Sequence, residues 1–165
     1  MAKARKPDDR PVVFATNHKA RRDYTILETH EAGIELKGTE IKSIRQRHVA
    51  LDDSFARIDG GELFLYNMYV SSYEQGGRYN VDPIRVRKLL LHRRELDRMT
   101  GLLSRQRVAL VPLRLYEKRG LAKVELAVGK GKRVFEKRDR IRERETDREI
   151  RRALRTKQKR FGSGQ

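Results

Sequence analysis

The alternation of apolar and polar positions changes period several times along this chain, and each change marks an element. Residues 17–22, Asn-His-Lys-Ala-Arg-Arg, read as one or two helical turns, with Asn17 as an N-cap accepting from the backbone N–H groups above it. Residues 24–31 are β-rich, Ala32-Gly33 breaks them, and Ile34 and Leu36 resume the alternation, which predicts a bent or bulged strand half buried on one face. Ile41 and Ile44, three apart after Gly38-Thr39, predict a short amphipathic helix over 40–45 with Thr39 near its N-cap. Its polar face carries Lys42 and Arg45. Residues 55–58 and 63–66 alternate around Asp59-Gly60-Gly61-Glu62, whose glycines supply the positive φ values of a hairpin turn. A second hairpin pairs residues 108–116 with 121–128, with Pro112 forcing an edge or a bulge. Between the hairpins, residues 73–83 form a Gly/Asn/Pro loop. Residues 89–105 follow, with Leu96, Met99, Leu102 and Leu103 at helical spacing, as one helix plugging a small barrel.

Five or six strands in hairpins with two or three helices describe a mainly β, antiparallel barrel or sandwich of OB-like size. Spacing does not choose between those closures. The length, 165 residues, fits one domain and a modest appendage.

Charge divides the chain further. There are 40 Lys and Arg against 23 Asp and Glu, a net charge of +17, which points to an acidic partner such as a nucleic acid. Residues 130–160 hold 15 of those cations and 6 of the acids, so a fifth of the chain carries +9. Ile141, Ile150, Ala153 and Leu154 are nearly the only apolar residues there after Phe135, too few to fold alone. The expected organisation is a basic N-terminal arm (1–16), a body (17–129), and a basic tail (130–165) opening on Gly129-Lys130-Gly131-Lys132, a flexible basic hinge.

From Asp139 to Lys159 the tail has no Gly or Pro, and Arg140, Arg144, Arg148 and Arg152 recur at i,i+4. A second row runs from Asp139, Glu143 and Asp147 to Arg151, Arg155 and Lys159, acidic first and basic last, the order the helix dipole favours. The arginines repel one another when alone, so the expected tail is disordered in solution and helical once phosphates neutralise the stripe.

Most catalytic chemistry finds no footing. Without Cys there are no disulfides, thiolate zinc sites or Cys nucleophiles. His18, His30, His48 and His92 show no metal-binding spacing, the Walker pattern is absent, and no nucleophile-elbow motif occurs. Asp52 and Asp53, with Asp82, are the carboxylates a metal-dependent nuclease would need, although Asp-Asp-Ser is more often a turn. Tyr66, Tyr69, Tyr73 and Tyr79, near Arg78, Arg85 and Arg87, are candidates for stacking on bases. No apolar run is long enough for a membrane helix, and the start lacks the apolar stretch of a secretory signal. A cytoplasmic protein with no cofactor is expected.

The ordered segments Asn17-His18-Lys19-Ala20-Arg21, Glu31-Ala32-Gly33-Ile34, Gly38-Thr39-Glu40-Ile41-Lys42-Ser43-Ile44-Arg45, Asp53-Ser54-Phe55, Asp82-Pro83, Arg87-Lys88-Leu89-Leu90-Leu91, Lys123-Val124-Glu125 and Lys130-Gly131-Lys132-Arg133 resemble the SsrA-binding protein (SmpB) family. The resemblance implies an OB-like closed β-barrel. It implies binding to the tRNA-like domain of transfer-messenger RNA and entry with it and elongation factor Tu into the A site of stalled ribosomes. It assigns RNA contact to Glu31, Leu90 and Lys123, and by their motifs to Asn17, Lys19, Arg21, Lys42 and Arg45. A carboxylate such as Glu31 would orient rather than attract, accepting from a base N–H or a 2′-OH.

The resemblance further implies that the tail, from Gly131, Lys132 and Arg133 through Phe135, Glu136, Lys137 and Arg138 to Arg140, Arg144, Arg148 and Arg152, lies as a helix in the vacant mRNA path. This chain departs from the family pattern at three positions. Glu136 stands where the family triplet has Asp, Arg22 where many members have His, and Phe135 where Tyr or His is common. A non-catalytic RNA-binding adaptor is the leading expectation; an RNA-processing enzyme and a structural ribosomal or nucleoid protein are the alternatives that net charge alone also fits.

Overall fold

Short apolar runs, tight glycine turns and one bulge-forming proline dictate a curled antiparallel sheet in this chain. The computed structural model describes residues 10–132 and 134–161, and the chain divides into two units between Gly131 and Lys132. The first unit runs β1 (Val12–Thr16), α1 (His18–Asp23), β2 (Tyr24–Ile34), α2 (Gly38–Arg45), β3 (Val49–Ala50), β4 (Phe55–Asp59), β5 (Glu62–Tyr66), β6 (Tyr69–Val70), β7 (Arg87–Leu90), α3 (Arg93–Arg105), β8 (Ala109–Lys118) and β9 (Leu121–Gly131). Hydrogen-bonded neighbours follow the order β8–β4–β5–β7–β2–β9, and β9 pairs back to β8, so the pairings form a ring to which β1 adds along β8. β3 and β6 form a separate two-stranded ladder.

The turns behave as their residues require. Gly60 and Gly61 hold φ of +59° and +76° between Asp59 and Glu62, which pair across the turn. Such positive φ values give a two-residue turn the twist its strands need. Pro112 sits at a register shift in the β8–β9 ladder, as expected of a residue with no N–H to give. The shift decides which way β8 faces. Leu110 and Leu115 both join the main core with Leu63, Leu65, Leu89, Val124 and Leu126, while Val111 and Leu113 pack on the opposite side with Ala20 of α1 and Ala127.

Four expectations change. Ala32-Gly33 does not break β2; the ladder runs unbroken to Ile34, and the bulge lies between Ile26 and Glu28, leaving Leu27 unpaired and exposed. Residues 89–90 are strand, not helix, because β7 is claimed by ladders on both sides, and α3 begins at Arg93. Residues 12–16 pair with β8 rather than standing apart as an arm. Gly129, Lys130 and Gly131 are no hinge: they pair with Ile26, Thr25 and Tyr24. A Cβ on Gly129 would lie 3.0 Å from that of Tyr24, so the glycine permits the close strand approach.

Beneath α2 sits a buried ion pair. Arg87 is fully buried and donates to Glu40 Oε1 at 2.8 Å and to the carbonyls of Met68, Arg85 and Pro83. Arg85 donates to both Glu40 oxygens, and the Lys37 N–H caps Oε2 at 2.8 Å. Burial pushes the Glu40 carboxyl up, but the Arg85 and Lys37 hydrogen bonds and the Arg87 charge outweigh it and hold it below the usual range. Arg85 and Arg87, which the sequence places near the candidate stacking tyrosines, thus turn inward and tie loop 82–87 to α2.

The second unit contains α4 (Val134–Phe161), a helix that covers the residues 139–159 predicted from charge spacing.

Candidate nucleic-acid interface

Register alone assembles one patch on the outside of the sheet. Ala32 and Ile34 of β2 face the core, so Glu31 and Gly33 face outward. Gly33 pairs with Leu90 on one side and with Lys123 on the other, putting three residues from β7, β2 and β9 in one row. Glu31 lies two positions back on the same face. A Cβ at Gly33 would meet Leu90 Cβ at 3.3 Å, so the glycine keeps the row open. Glu31, Gly33, Leu90, Leu121 and Lys123 line one surface cavity of about 500 Å³. Leu90 is 48% exposed, so it is surface and not core.

The electrostatics of the patch are ordered from β8. Tyr116 donates its hydroxyl to Glu31 Oε2 in a short hydrogen bond, and Lys118 Nζ approaches the same oxygen at 3.4 Å. The Tyr116 bond holds the Glu31 carboxyl below the usual range, against a smaller opposing effect of burial and with help from Lys118. Burial and the carboxylate together push the Tyr116 phenol up. Arg114 faces Glu125 at 2.7 Å beside this group. The charge of Lys123 adds, after Tyr116 and Lys118, to what holds Glu31 ionised. The result is an oriented carboxylate, an exposed leucine and an ammonium lining one cavity, a set that suits ribose, base edges and phosphate at close quarters. Tyr116, Lys118 and Gly33 were not singled out from sequence as contact residues. Gly33 was legible within Glu-Ala-Gly; the other two become neighbours of Glu31 only through the β8–β9–β2 register.

The remaining predicted contacts lie elsewhere on the first unit. Asn17 is buried: its Oδ1 accepts from the Ala20 N–H at 3.0 Å and its Nδ2 donates to the Leu51 carbonyl at 3.1 Å, so its amide positions α1. Lys19 is exposed and pairs with Asp53 at 2.9 Å, and Arg21 is exposed on the same helix. On α2, Lys42 lies 5.4 Å from the Tyr73 ring centre and Arg45 donates to Glu117 at 3.1 Å.

In the second unit, Arg140, Arg144, Arg148 and Arg152 are exposed along α4. Gly131 ends β9. Arg133 lies outside the described residues, as do the side chains of Phe135, Glu136, Lys137 and Arg138.

Two of the three carboxylates of the nuclease alternative have other partners: Asp53 pairs with Lys19, and Asp82 accepts from the Ile84 N–H at 2.9 Å. Among the described residues no group of three His, Asp or Glu side chains is arranged to hold a metal ion, and no helix is long and apolar enough to cross a membrane.

Comparison with known proteins bears on the same residues. Residues 14–156 match the family model described as SmpB protein. The chain is 56% identical over 154 residues to the SsrA-binding protein of Caldicellulosiruptor saccharolyticus, covering 93% of this chain and 97% of that one. It is 58% identical over 147 residues to the SsrA-binding protein of Geobacillus thermodenitrificans, covering 89% and 95%. A solved structure described as "tmRNA-SmpB: a journey to the center of the bacterial ribosome" aligns with a TM-score of 0.60 at 52% identity, covering 72% of this chain and 84% of that one.

Proposed function

This chain belongs to the SmpB protein family, and from that membership we propose that it is a non-catalytic adaptor that binds the tRNA-like domain of transfer-messenger RNA and carries it to stalled ribosomes. The body does the RNA reading. Its ring of paired strands acts as an OB-like closed barrel, with Glu31, Leu90 and Lys123 as the contact row and Lys19, Arg21, Lys42 and Arg45 as further cationic contacts. The observation that carries this reading is the Leu90–Gly33–Lys123 row with Glu31 beside it. Residues far apart in sequence and of three chemical types share one exposed cavity, and only one of them bears a net positive charge. A general polycation has no use for such a mixture.

The tail acts after RNA binding. Gly131, paired with Tyr24 in the body, marks where the tail departs; Lys132 to Arg138 and the stripe Arg140, Arg144, Arg148 and Arg152 enter the A site and the empty mRNA channel, where ribosomal phosphates neutralise the arginines and stabilise the helix. Free in solution the tail is largely disordered. Elongation factor Tu accompanies the complex in the cytoplasm, and no cofactor takes part.

The test is a titration of a tRNA-like RNA domain against a matched plain hairpin at two salt concentrations, using the full chain and a chain ending at Gly131, where β9 closes its ladder. A preference of both proteins for the tRNA-like RNA is the expected result. Preference lost with the tail, or affinity that vanishes equally for both RNAs as salt rises, would reduce the protein to a polycation.

A further inference from the structure

The loop between β6 and β7 answers a question the sequence leaves open, namely which of the tyrosines are free to stack. Tyr66 is engaged, stacked on Phe55 at 5.3 Å and donating to Asp59 at 2.7 Å. Tyr73 and Tyr79 stack on no other aromatic ring among the described residues. They stand at either end of a 3₁₀ turn (Glu74–Tyr79), and each has a cation near its ring: Lys42 at 5.4 Å from the Tyr73 centre and Arg78 at 5.2 Å from that of Tyr79. Tyr79 is 69% exposed.

The loop is built, not slack. Asn80 clamps it by accepting from the Tyr73 N–H at 2.9 Å and donating to the Tyr73 carbonyl at 2.8 Å. Thr39 Oγ1 ties the Tyr79 carbonyl to α2 at 3.2 Å. Gly76 packs so closely on Asn80 that a Cβ would lie 2.6 Å from its Oδ1. The open surface cavity at this loop, about 540 Å³, is lined by Lys37, Thr39, Lys42, Tyr73, Gly76 and Tyr79 among others, with no carboxylate in its lining.

We infer that this cavity is a second RNA site, separate from the Glu31–Leu90–Lys123 row, which takes one unpaired nucleotide. The base stacks on Tyr79 or between it and Tyr73, and the phosphate meets Lys37 and Lys42. Aromatic faces flanked by cations are what single-stranded RNA selects, and stacking of this kind tolerates any base. The volume lies within the range of small-ligand sites. The inference rests on the RNA-binding reading above and shares with it only Lys42; Tyr73, Tyr79 and Lys37 belong to this site alone.

The experiment uses the full-length protein and a short unstructured ribo-oligonucleotide carrying 2-aminopurine, whose fluorescence is quenched by stacking. Wild type should quench it and bind it. Tyr79→Ala should remove most of the quench and weaken binding about five-fold or more, Tyr79→Phe should keep both, and Lys42→Ala should lower the log–log salt slope by about 0.7. Unlabelled tRNA-like RNA or isolated small ribosomal subunits are then added. Recovery of fluorescence with either identifies the natural source of the nucleotide, and recovery with neither overturns the proposal.

Unchanged quenching in both Tyr79→Ala and Tyr73→Ala, with unchanged melting temperatures, would overturn it too. Lys123→Ala separates the two readings. If it abolishes preference for the tRNA-like RNA while Tyr79→Ala leaves the probe untouched, the adaptor function stands and the pocket falls. If wild type has no such preference yet Tyr79→Ala loses the probe, the reverse holds.

Discussion

The outer face of the sheet and helix α4 are both rich in charge, yet they hold it by different means. On the sheet, each charged group has an address set by strand register. Glu31 is bound by Tyr116 and Lys118, Glu125 by Arg114, and Lys123 lines the same cavity as the exposed Leu90. On α4 the address is only the helical period. Arg140, Arg144 and Arg148 are exposed, and Ile141 and Ile150 are exposed as well, so the described side chains of α4 give it no buried apolar contact. The first arrangement can discriminate shapes, because moving one group means moving three strands. The second offers a line of positive charge at helical spacing, which attracts phosphate without fixing its arrangement.

The sharpest way to break this contrast is at the group that holds α2 and loop 82–87 together. Glu40→Ala leaves Arg87 buried without its carboxylate and should cost about 3–5 kcal/mol in a denaturant titration, whereas Arg144→Ala should leave the midpoint where it is. The same pair makes an acid prediction. Because the Glu40 carboxyl is held below its unfolded value, its contribution is complete above the unfolded carboxylate pKa and is lost as pH falls through the lower, folded one. Melting curves of wild type should therefore fall more steeply than those of Glu40→Gln as pH drops below about 4.

Next in size is the contact row. Lys123→Ala should weaken binding to the tRNA-like RNA roughly ten-fold, as expected for a charge-assisted contact, and reduce preference over a plain hairpin. Arg144→Ala with Arg148→Ala should leave that affinity within about two-fold and instead lower tagging of stalled ribosomes in a reconstituted assay. A loss of RNA affinity in the tail variant equal to that in Lys123→Ala would erase the distinction.

Tyr116→Phe sharpens it more gently. It frees Glu31 without changing net charge, so binding should weaken a few-fold, about 1 kcal/mol, with the salt slope unchanged. Since Glu31 is held ionised by Tyr116, preference for the tRNA-like RNA should stay flat from pH 7.5 down to about 5.5 and fall only in strong acid. The smallest effect is expected on α4, where Glu143→Gln should change helicity of the full chain by an amount equivalent to roughly 0.2–0.5 kcal/mol, read by circular dichroism.

Local chemistry made much of this legible in advance. Asn17 caps α1, Gly60-Gly61 turn the first hairpin, Pro112 bulges the second, and the i,i+4 arginines fall in a helix. These are short-range matters in which a residue meets neighbours at most a few positions away. The errors were all longer in range. Leu89 and Leu90 carry the same apolar signal as a helix start, and only the ladders to β5 and β2 make them strand. Ala32-Gly33 reads as a break, but a glycine whose two neighbours must approach closely belongs inside a ladder. Arg85 and Arg87 read as surface cations beside tyrosines, and a single buried carboxylate turned both inward.

The amino-acid sequence by itself determined α1, α2, both hairpins and their turns, the division of charge along the chain, and a family resemblance that named Glu31, Leu90 and Lys123. The tertiary structure decided that these three share a cavity, that Tyr116 and Lys118 orient the first of them, and that, among the described residues, Tyr66 stacks on another ring while Tyr73 and Tyr79 do not. The reason is physical. Capping, turn and helix propensities act over a few residues, whereas strand register is chosen by the burial of the whole core, and a register shift of one position would have sent every one of those side chains to the other face.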